Sequence, residues 1–366
     1  MKSVILVLGT TVLLTTAVFA QSPYYVVTND DNNSNSATVF NLNPSNGTLT
    51  QVKVLETGGE AQQGGYFAGA TQVITPGGTC VFVADGGGAT DIAAFSKMTN
   101  YGKVGNYGDS SLQGASNMPM LENGTLLYAA YELSSALAVW TINPDCSLTL
   151  ANVYPTDPFL GSMAMTHDHK RLLVTYEIVR EVGSFTISGS TLANDGTIHT
   201  PLQPSGIAVT NDDRLVIIGT AYNMQHPDTV ITANLPSFIN QKEWTLGPGY
   251  SAGSVALSPD GAAGNGCLYV GNTGAGSSGQ AGVTGVQFTE NPLSLAYVNN
   301  VTSPLPTLLG NVALISDTGN GMGVYAAETA GYIGVYTADS GCNITLQKET
   351  ADPNATFILS LSSFVR

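Results

Sequence analysis

The chain has 366 residues, with 26 acidic against 11 basic side chains and a formal charge of −15; only 10% of its residues are charged and 43% are hydrophobic. A surface this negative repels nucleic acid and anionic lipid, which excludes binding to polyanions. The low density of charge also excludes a charge-extended disordered chain, leaving a folded protein whose polar surface is largely uncharged.

Taken in chain order, the first element is a leader. Residues 1–20, "MKSVILVLGTTVLLTTAVFA", join a single Lys2 to a long apolar run and a small-residue end before Gln21, the layout of a secretory signal peptide. Residues 21–366 are then expected to form a single domain outside the cell, or in the periplasm of a bacterium. No later run approaches the roughly 18 apolar residues that a membrane span needs, and the compartment permits disulfides. Sequons at Asn32, Asn46, Asn123, Asn300, Asn343 and Asn354 would accept glycans in a eukaryotic host.

The next elements repeat. "YYVVTN" from Tyr24, "VFVADG" from Val81, "LYAAYE" from Leu127, "LLVTYE" from Leu172, "LVIIGT" from Leu215, "LYVGNT" from Leu268 and "VYAAET" from Val324 recur at intervals of roughly 43 to 57 residues. Each is a short β-branched or aromatic strand that ends in a polar turn. A second strand follows each, as in "ATVFNLN", "ALAVWTIN" and "YIGVYTA", then a turn and a third strand such as "TLTQVKVL" or "SLTLANVY". A leading strand precedes most sets and runs into a turn, as in "SVALSPDG", "GIAVTNDD", "SMAMTHDH" and "PMLENGT". Four antiparallel strands, seven times over, predict an all-β fold, a seven-bladed β-propeller of the repeat class that also holds the WD40-type propellers. Blade 1 lacks its own leading strand, and the chain end "TFILSLSSFVR" is a spare strand that would close the ring as the innermost strand of blade 1.

With strands A to D counted from the axis outward, the A–B and C–D turns share one face of the ring and the B–C and D–A loops the other. Cys80 and Cys267 open strand B of blades 2 and 6, while Cys146 and Cys342 lie in the C–D turns of blades 3 and 7. Four cysteines allow three connectivities. Cys80–Cys146 with Cys267–Cys342 is the one that joins neighbouring blades in the same way twice.

The segment "NGTLLYAAYELSSALAVWTIN" of blade 3 resembles a signature of the lactonase-type seven-bladed propellers, the family of phosphogluconolactonase and carboxymuconate cyclase. Tyr131, Glu132, Leu133 and Ser134 occupy the places of that family's Asn-Glu-Leu-Ser. "ATVFNLNPSNGTLTQV" in blade 1 is similar to its recurrent hairpin. The resemblance implies a small-molecule site on the B–C face and chemistry on lactones. One departure weakens that implication. Where the family places a Pro-Arg-His triplet, this chain has Ser116, Asn117 and Met118, and an anionic lactone calls for Arg or Lys in its pocket. Lys170, Arg171 and Arg214 belong to the opposite face, and Lys53, Lys97, Lys103, Lys242 and Lys348 to outer strands or their turns. Arg180 alone reaches the B–C face.

Candidate residues follow from the same register. Glu132, Glu177 and Glu328 end strand B in blades 3, 4 and 7 and should converge on one mouth. A carboxylate beside Arg180 is equipped for acid–base work on a lactone, so Glu132, Glu177 and Arg180 are the catalytic candidates. Glu181, His226 and Glu328 are the ligand-binding ones, and His199 is a weaker one. Solvated hairpin ends produce the same array of loop glutamates. "DGGGATD" sets Asp85 and Asp91 on a flexible loop beside "NDDNNSNS" of blade 1, an oxygen-rich setting that suits calcium, although Asp, Gly and Asn also make plain solvated turns. No organic cofactor is implied.

Three motifs read as structure. "GAGSSG", Gly274–Gly279, matches the dinucleotide fingerprint but joins two strands, where the fingerprint must open a helix. "GYSAG" around Ser251 leads into a strand rather than a nucleophile elbow. His167 and His169 of "THDHKR" fall in the A–B turn of blade 4 with no cysteine left to complete a zinc set. Two functions remain: a noncatalytic extracellular binding or scaffold module for a small molecule, a glycan or a protein partner, and a hydrolase or isomerase of a lactone-like small molecule.

Overall fold

The computed structural model describes residues 24–61, 71–87, 91–114, 118–220, 227–250, 252–258, 265–272, 282–302, 309–315, 322–328, 331–355 and 360–365. The expected leader at 1–20, the Ser116-Asn117 positions, His226, Ser251 and the "GAGSSG" loop lie outside them.

The described strands sort into four-stranded antiparallel sheets, each the blade of a β-propeller. From the inner edge outward, sheet 1 comprises Ser360–Val365, Tyr24–Asn29, Ser36–Asn43 and Thr48–Glu56. Sheet 2 runs Gln72–Ile74, Cys80–Asp85, Asp91–Ser96 and Gly102–Tyr107, and sheet 3 Met120–Glu122, Leu126–Tyr131, Ala136–Ile142 and Leu148–Pro155. Sheet 4 runs Leu160–Met165, Arg171–Tyr176, Glu181–Ser188 and Thr191–His199. Sheet 5 is built of Pro204–Val209, Leu215–Thr220, Pro227–Asn234 and Ile239–Tyr250. Sheet 6 follows with Ala252–Leu257, Asn265–Asn272, Gly282–Glu290 and Leu293–Thr302, and sheet 7 with Leu309–Ile315, Met322–Glu328, Tyr332–Ala338 and Ile344–Ala351. Helix among the described residues is limited to the single 3-10 turns Pro76–Gly78 and Lys97–Thr99.

The burial of each strand follows its place in the sheet. Strands Cys80–Asp85, Leu126–Tyr131 and Leu215–Thr220 are buried at every position, because both faces of a blade pack against neighbours. The outer strand Thr191–His199 is mostly exposed. The apolar core is therefore divided among the gaps between sheets. Phe82, Ile92, Leu127, Tyr131 and Trp140 fill the gap between sheets 2 and 3, and Val26, Phe40 and Leu42 meet Ile333 and Val335 between sheets 1 and 7.

A register shift interrupts the pairing of the third and fourth strands at matching places: Val39/Phe40, Ala94/Phe95, Val139/Trp140, Ser184/Phe185, Gly285/Val286 and Val335/Tyr336. Bulges of this kind sharpen the right-handed twist, which lets one blade face its neighbour along its whole width. An aromatic ring follows the shift in five of the six and fills the gap opened there.

Both disulfides have the expected pairing, Cys80–Cys146 between sheets 2 and 3 and Cys267–Cys342 between sheets 6 and 7, with Cα–Cα separations of 5.5 and 5.4 Å. The two turn cysteines take the same left-handed conformation, φ 70° at Cys146 and 66° at Cys342, so the repeat is preserved down to the backbone of the staple. The sequence separations are 66 and 75 residues. The loop-entropy model gives about 4 kcal/mol for each, an upper figure. Replacing Cys80 and Cys146 together by alanine is expected to cost about 2–4 kcal/mol in denaturant unfolding; an unchanged midpoint would show that the staple adds nothing to the packed interface.

Candidate functional site

The loop between the second and third strands has the same construction in sheets 3 and 4. In sheet 3 the Ser135 amide donates to the Glu132 carbonyl at 3.1 Å, Ser135 is left-handed (φ 46°), and its carbonyl accepts the Thr156 amide at 2.8 Å. In sheet 4 the Arg180 amide donates to Glu177 at 3.3 Å, Arg180 is left-handed (φ 59°), and its carbonyl accepts the Thr200 amide at 2.8 Å. Tyr131 pairs with Ala136 and Tyr176 with Glu181 as the last ladder partners, and both rings are fully buried between sheets. The glutamates come one residue later. A single step along an extended chain turns the side chain to the other side, away from the gap the tyrosines fill.

Glu177 packs against the inner strand of its own sheet. A Cβ on Gly161 would stand 2.5 Å from Glu177 Oε1 and 2.7 Å from its Cγ, so only glycine leaves space for the carboxyl at that point. The Glu177 amide donates to the Phe159 carbonyl at 3.0 Å, which fixes the turn over the start of the inner strand. The residue keeps part of its surface in solvent, and among the described residues its carboxyl accepts no hydrogen bond. Burial, with the charge of nearby Glu132 added, pushes its pKa up to about 8. At neutral pH the group is largely a neutral acid, a donor rather than a carboxylate. Arg180 does not offset this. It is exposed and makes no ion pair among the described residues.

The structure thus brings Glu132 and Glu177 together and leaves Arg180 at the edge. Glu181 opens the third strand of sheet 4 opposite Tyr176 and pairs with His199 on the outer strand. Glu328 pairs with Tyr332 as the last ladder residue, the place Tyr131 and Tyr176 hold. It therefore stands one residue before the Glu132 and Glu177 position, because its turn is one residue shorter.

Asp85 and Asp91 face each other across their hairpin, but not in a solvated turn. Asp85 is wholly buried against sheet 1, where its Oδ1 accepts hydrogen bonds from Asn35 Nδ2 at 2.8 Å and Thr57 Oγ1 at 2.7 Å. Desolvation pushes its pKa up to about 7, with Asp91 adding to the rise. Asp91 is held from outside by Asn106 Nδ2, at 2.9 and 3.0 Å. Among the described residues no three His, Cys, Asp or Glu side chains converge as a metal site.

A second acid escaped the sequence reading. Asp30 is buried under Thr28, Ser36 and Thr38, whose hydroxyls donate to it at 2.5, 2.7 and 2.8 Å. Burial and the nearby Asp352 push its pKa up to about 7. The "NDDNNSNS" stretch, legible only as a polar loop, is an interior seam. The histidine pair falls where the repeat places it: Asp213 accepts the amides of His167 at 2.6 Å and Asp168 at 2.9 Å, tying two A–B turns together on the opposite face.

No protein-family model and no curated protein matches the chain. Solved structures do. A putative 6-phosphogluconolactonase of Bacteroides fragilis superposes with a TM-score of 0.72 at 16% identity, over 93% of this chain and 97% of that one. A counterpart from Bacteroides uniformis gives 0.72 at 14% over 93% and 98%, and a protein of Lactobacillus plantarum gives 0.69 at 14% over 93% and 99%. The fold is that of the lactonase-type β-propellers.

Two outcomes test the site. Gly161→Ala is expected to push the Glu177 side chain toward solvent at a cost of about 1 kcal/mol or less, with its pKa falling toward the ordinary carboxylate range in a carbon-detected NMR titration; an unmoved pKa would mean the close approach is not what buries it. The second concerns stability. The Glu177 value lies above its ordinary 4.5, so the native state holds an extra proton between about pH 4.5 and about pH 8. Its contribution to stability is complete below pH 4.5 and is lost as pH rises through about 8. Glu177→Gln is expected to grow more stable relative to wild type across that window in urea unfolding, while Asp30 and Asp85 give both proteins a shared decline.

Proposed function

We propose that the chain is a secreted lactonase-like propeller, with seven blades in one ring closed by the C-terminal strand, that binds a small molecule on the B–C face without a catalytic duty as its main role. Closure is supported by the pairing of Tyr24–Asn29 with Ser360–Val365 and by contacts that run from each inner strand to the next, including Ser360–Val365 with both Leu309–Ile315 and Gln72–Ile74. Secretion is supported by the leader-like residues 1–20 and the two disulfides. Among the described residues no helix is long and apolar enough to cross a membrane.

The observation that supports the binding site is Glu177, a partly exposed acid set against the inner strand whose carboxyl has no hydrogen-bond partner among the described residues, beside a second glutamate. A protonated carboxyl that reaches solvent can donate to a ligand acceptor such as a carbonyl or hydroxyl oxygen. The scarcity of cations argues against a sugar phosphate: apart from Arg180, the lysines and arginines between residues 21 and 365 lie on the opposite face or on outer strands and their turns.

The same pair favours the second reading, hydrolysis of a lactone. Glu132 as a carboxylate would take a proton from water as its oxygen adds to the carbonyl carbon. Glu177 would give its proton to the ring oxygen as the acyl C–O bond breaks, leaving a hydroxy acid. A panel of sugar, alkyl and aromatic lactones separates the two. The binding reading predicts saturable binding with no turnover above the spontaneous rate. Turnover that falls about 100-fold or more in Glu132→Gln and Glu177→Gln, and declines above about pH 8 as the acid is lost, would establish the enzyme and remove the noncatalytic reading. Absence of both binding and turnover would remove both readings.

A further inference from the structure

The sequons at Asn32, Asn46, Asn123, Asn300, Asn343 and Asn354 are alike as motifs, and the fold divides them. What decides is the side-chain amide nitrogen, the atom to which an N-linked sugar is joined. In four of the sequons the fold has already engaged it. Asn32 donates it to the Asn354 carbonyl, Asn123 to Tyr128 Oη at 3.3 Å, and Asn300 to Thr284 Oγ1 at 2.8 Å. Asn354 donates to Thr38 Oγ1 at 3.2 Å and to Asp352 Oδ1 at 3.3 Å. Each of these residues is partly buried, so a glycan there would cost the hydrogen bond and the packing around it. Asn46 and Asn343 differ on both counts. They are exposed, and neither side-chain nitrogen donates a hydrogen bond among the described residues. Asn46 lies in the turn between Ser36–Asn43 and Thr48–Glu56, where its Oδ1 accepts the Thr48 amide at 3.0 Å and leaves the nitrogen unused. Asn343 follows Cys342, which the disulfide to Cys267 ties down, and its backbone amide donates to Asp339 Oδ1 at 2.9 Å. The backbone is anchored at both places while the amide nitrogen is left over.

We propose that Asn46 and Asn343 carry N-linked glycans in a eukaryotic secretory route and that the other four sequons stay bare. The inference rests on the secretion proposed above. In each modification the amide nitrogen attacks the anomeric carbon of an oligosaccharide carried on a polyprenyl pyrophosphate. The N–C bond forms, the C–O bond to pyrophosphate breaks, and the displaced amide proton passes to a base of the transferase. The transferase meets the chain before it folds, so the fold acts by selection: a chain loaded at an engaged position loses those contacts, whereas loading in the two exposed turns costs none. Both turns join the third strand of a sheet to the fourth, which places them on the face opposite the glutamate turns. The turn that carries Asn46 also packs on the sheet that carries Asn343: Lys348 Nζ donates to Thr48 Oγ1 at 3.3 Å, and a Cβ on Gly47 would stand 3.0 Å from Val335 Cγ1. The glycans therefore cover one sector, over sheets 1 and 7, and leave the face of Glu132 and Glu177 open.

The test expresses the chain with its own residues 1–20 in a eukaryotic host and collects it from the medium. Peptide N-glycosidase in heavy-oxygen water converts each loaded Asn into a labelled Asp, and mass spectrometry of the peptides locates the label. A sample without the enzyme corrects for spontaneous deamidation at Asn46, which precedes Gly47. Label at Asn46 and Asn343 alone is expected. Thr48→Val and Thr345→Val remove the sequon hydroxyl and keep each asparagine; each should delete one glycan, and the two together should migrate with enzyme-treated wild type. A bare Asn46 or Asn343 in the secreted protein, or label to the same extent at Asn32, Asn123, Asn300 or Asn354, would overturn the inference and leave secretion standing. Retention of the unprocessed chain in the cytosol would overturn both.

Discussion

A blade of four antiparallel strands has two faces, and neither can be covered by the blade itself. That requirement governs the rest of the structure. Both faces of the second and third strands become interior, so Leu126–Tyr131 and Leu215–Thr220 have no position open to water. Burying a Val, Leu or Ile side chain is worth about 1.5–3 kcal/mol, and every gap between sheets draws on the neighbour on each side. Stability is therefore shared around the molecule, and no single blade would hold its shape alone. Twist must match across each gap, and the bulge repeated between third and fourth strands, followed by Phe40, Phe95, Trp140, Phe185 and Tyr336, provides it.

The same requirement confines chemistry to the ends of strands. The interior is mostly apolar along each strand, and a charge it does admit, such as Asp85, sits at the strand end. Tyr176 and Glu177 mark the boundary. One is the last paired residue and lies in a dry gap; the next lies against Gly161. A difference of one residue decides between the two, and Glu328 ends its ladder where Tyr131 and Tyr176 end theirs.

Period and strand chemistry made the architecture legible from the residues alone, and the equivalence of Cys80 with Cys267 and of Cys146 with Cys342 made the disulfides legible with it. The equivalence of the Glu132 and Glu177 turns was legible for the same reason, since the repeat sets them at matching places. What stayed hidden was depth. Asp30 and Asp85 belong to stretches rich in Asn, Asp and Gly, the composition of exposed turns, yet both are fully buried under hydroxyl and amide donors. Composition reports that such residues leave the ladder; it does not report whether the chain then folds back into a gap between sheets. Gly161 was silent too, because a glycine that makes room for a neighbour has no local signature, only a steric one.

Three acids raised toward neutrality by burial, Asp30, Asp85 and Glu177, differ in what surrounds them. Asp30 accepts three hydroxyl donors and Asp85 an amide and a hydroxyl; each is bound into a network that fastens sheet 1 to its surroundings, with Asp85 Oδ2 left buried without a partner among the described residues. Glu177 is raised with no side-chain donor among the described residues, but it keeps part of its surface in water, and that access, not an unmet bond in a dry interior, distinguishes it from the other two. The same turn sets Ile178 beside it in solvent, and its twin sets Leu133 in the same way, so one repeated backbone geometry decides both the placement of the acids and the exposure of their neighbours.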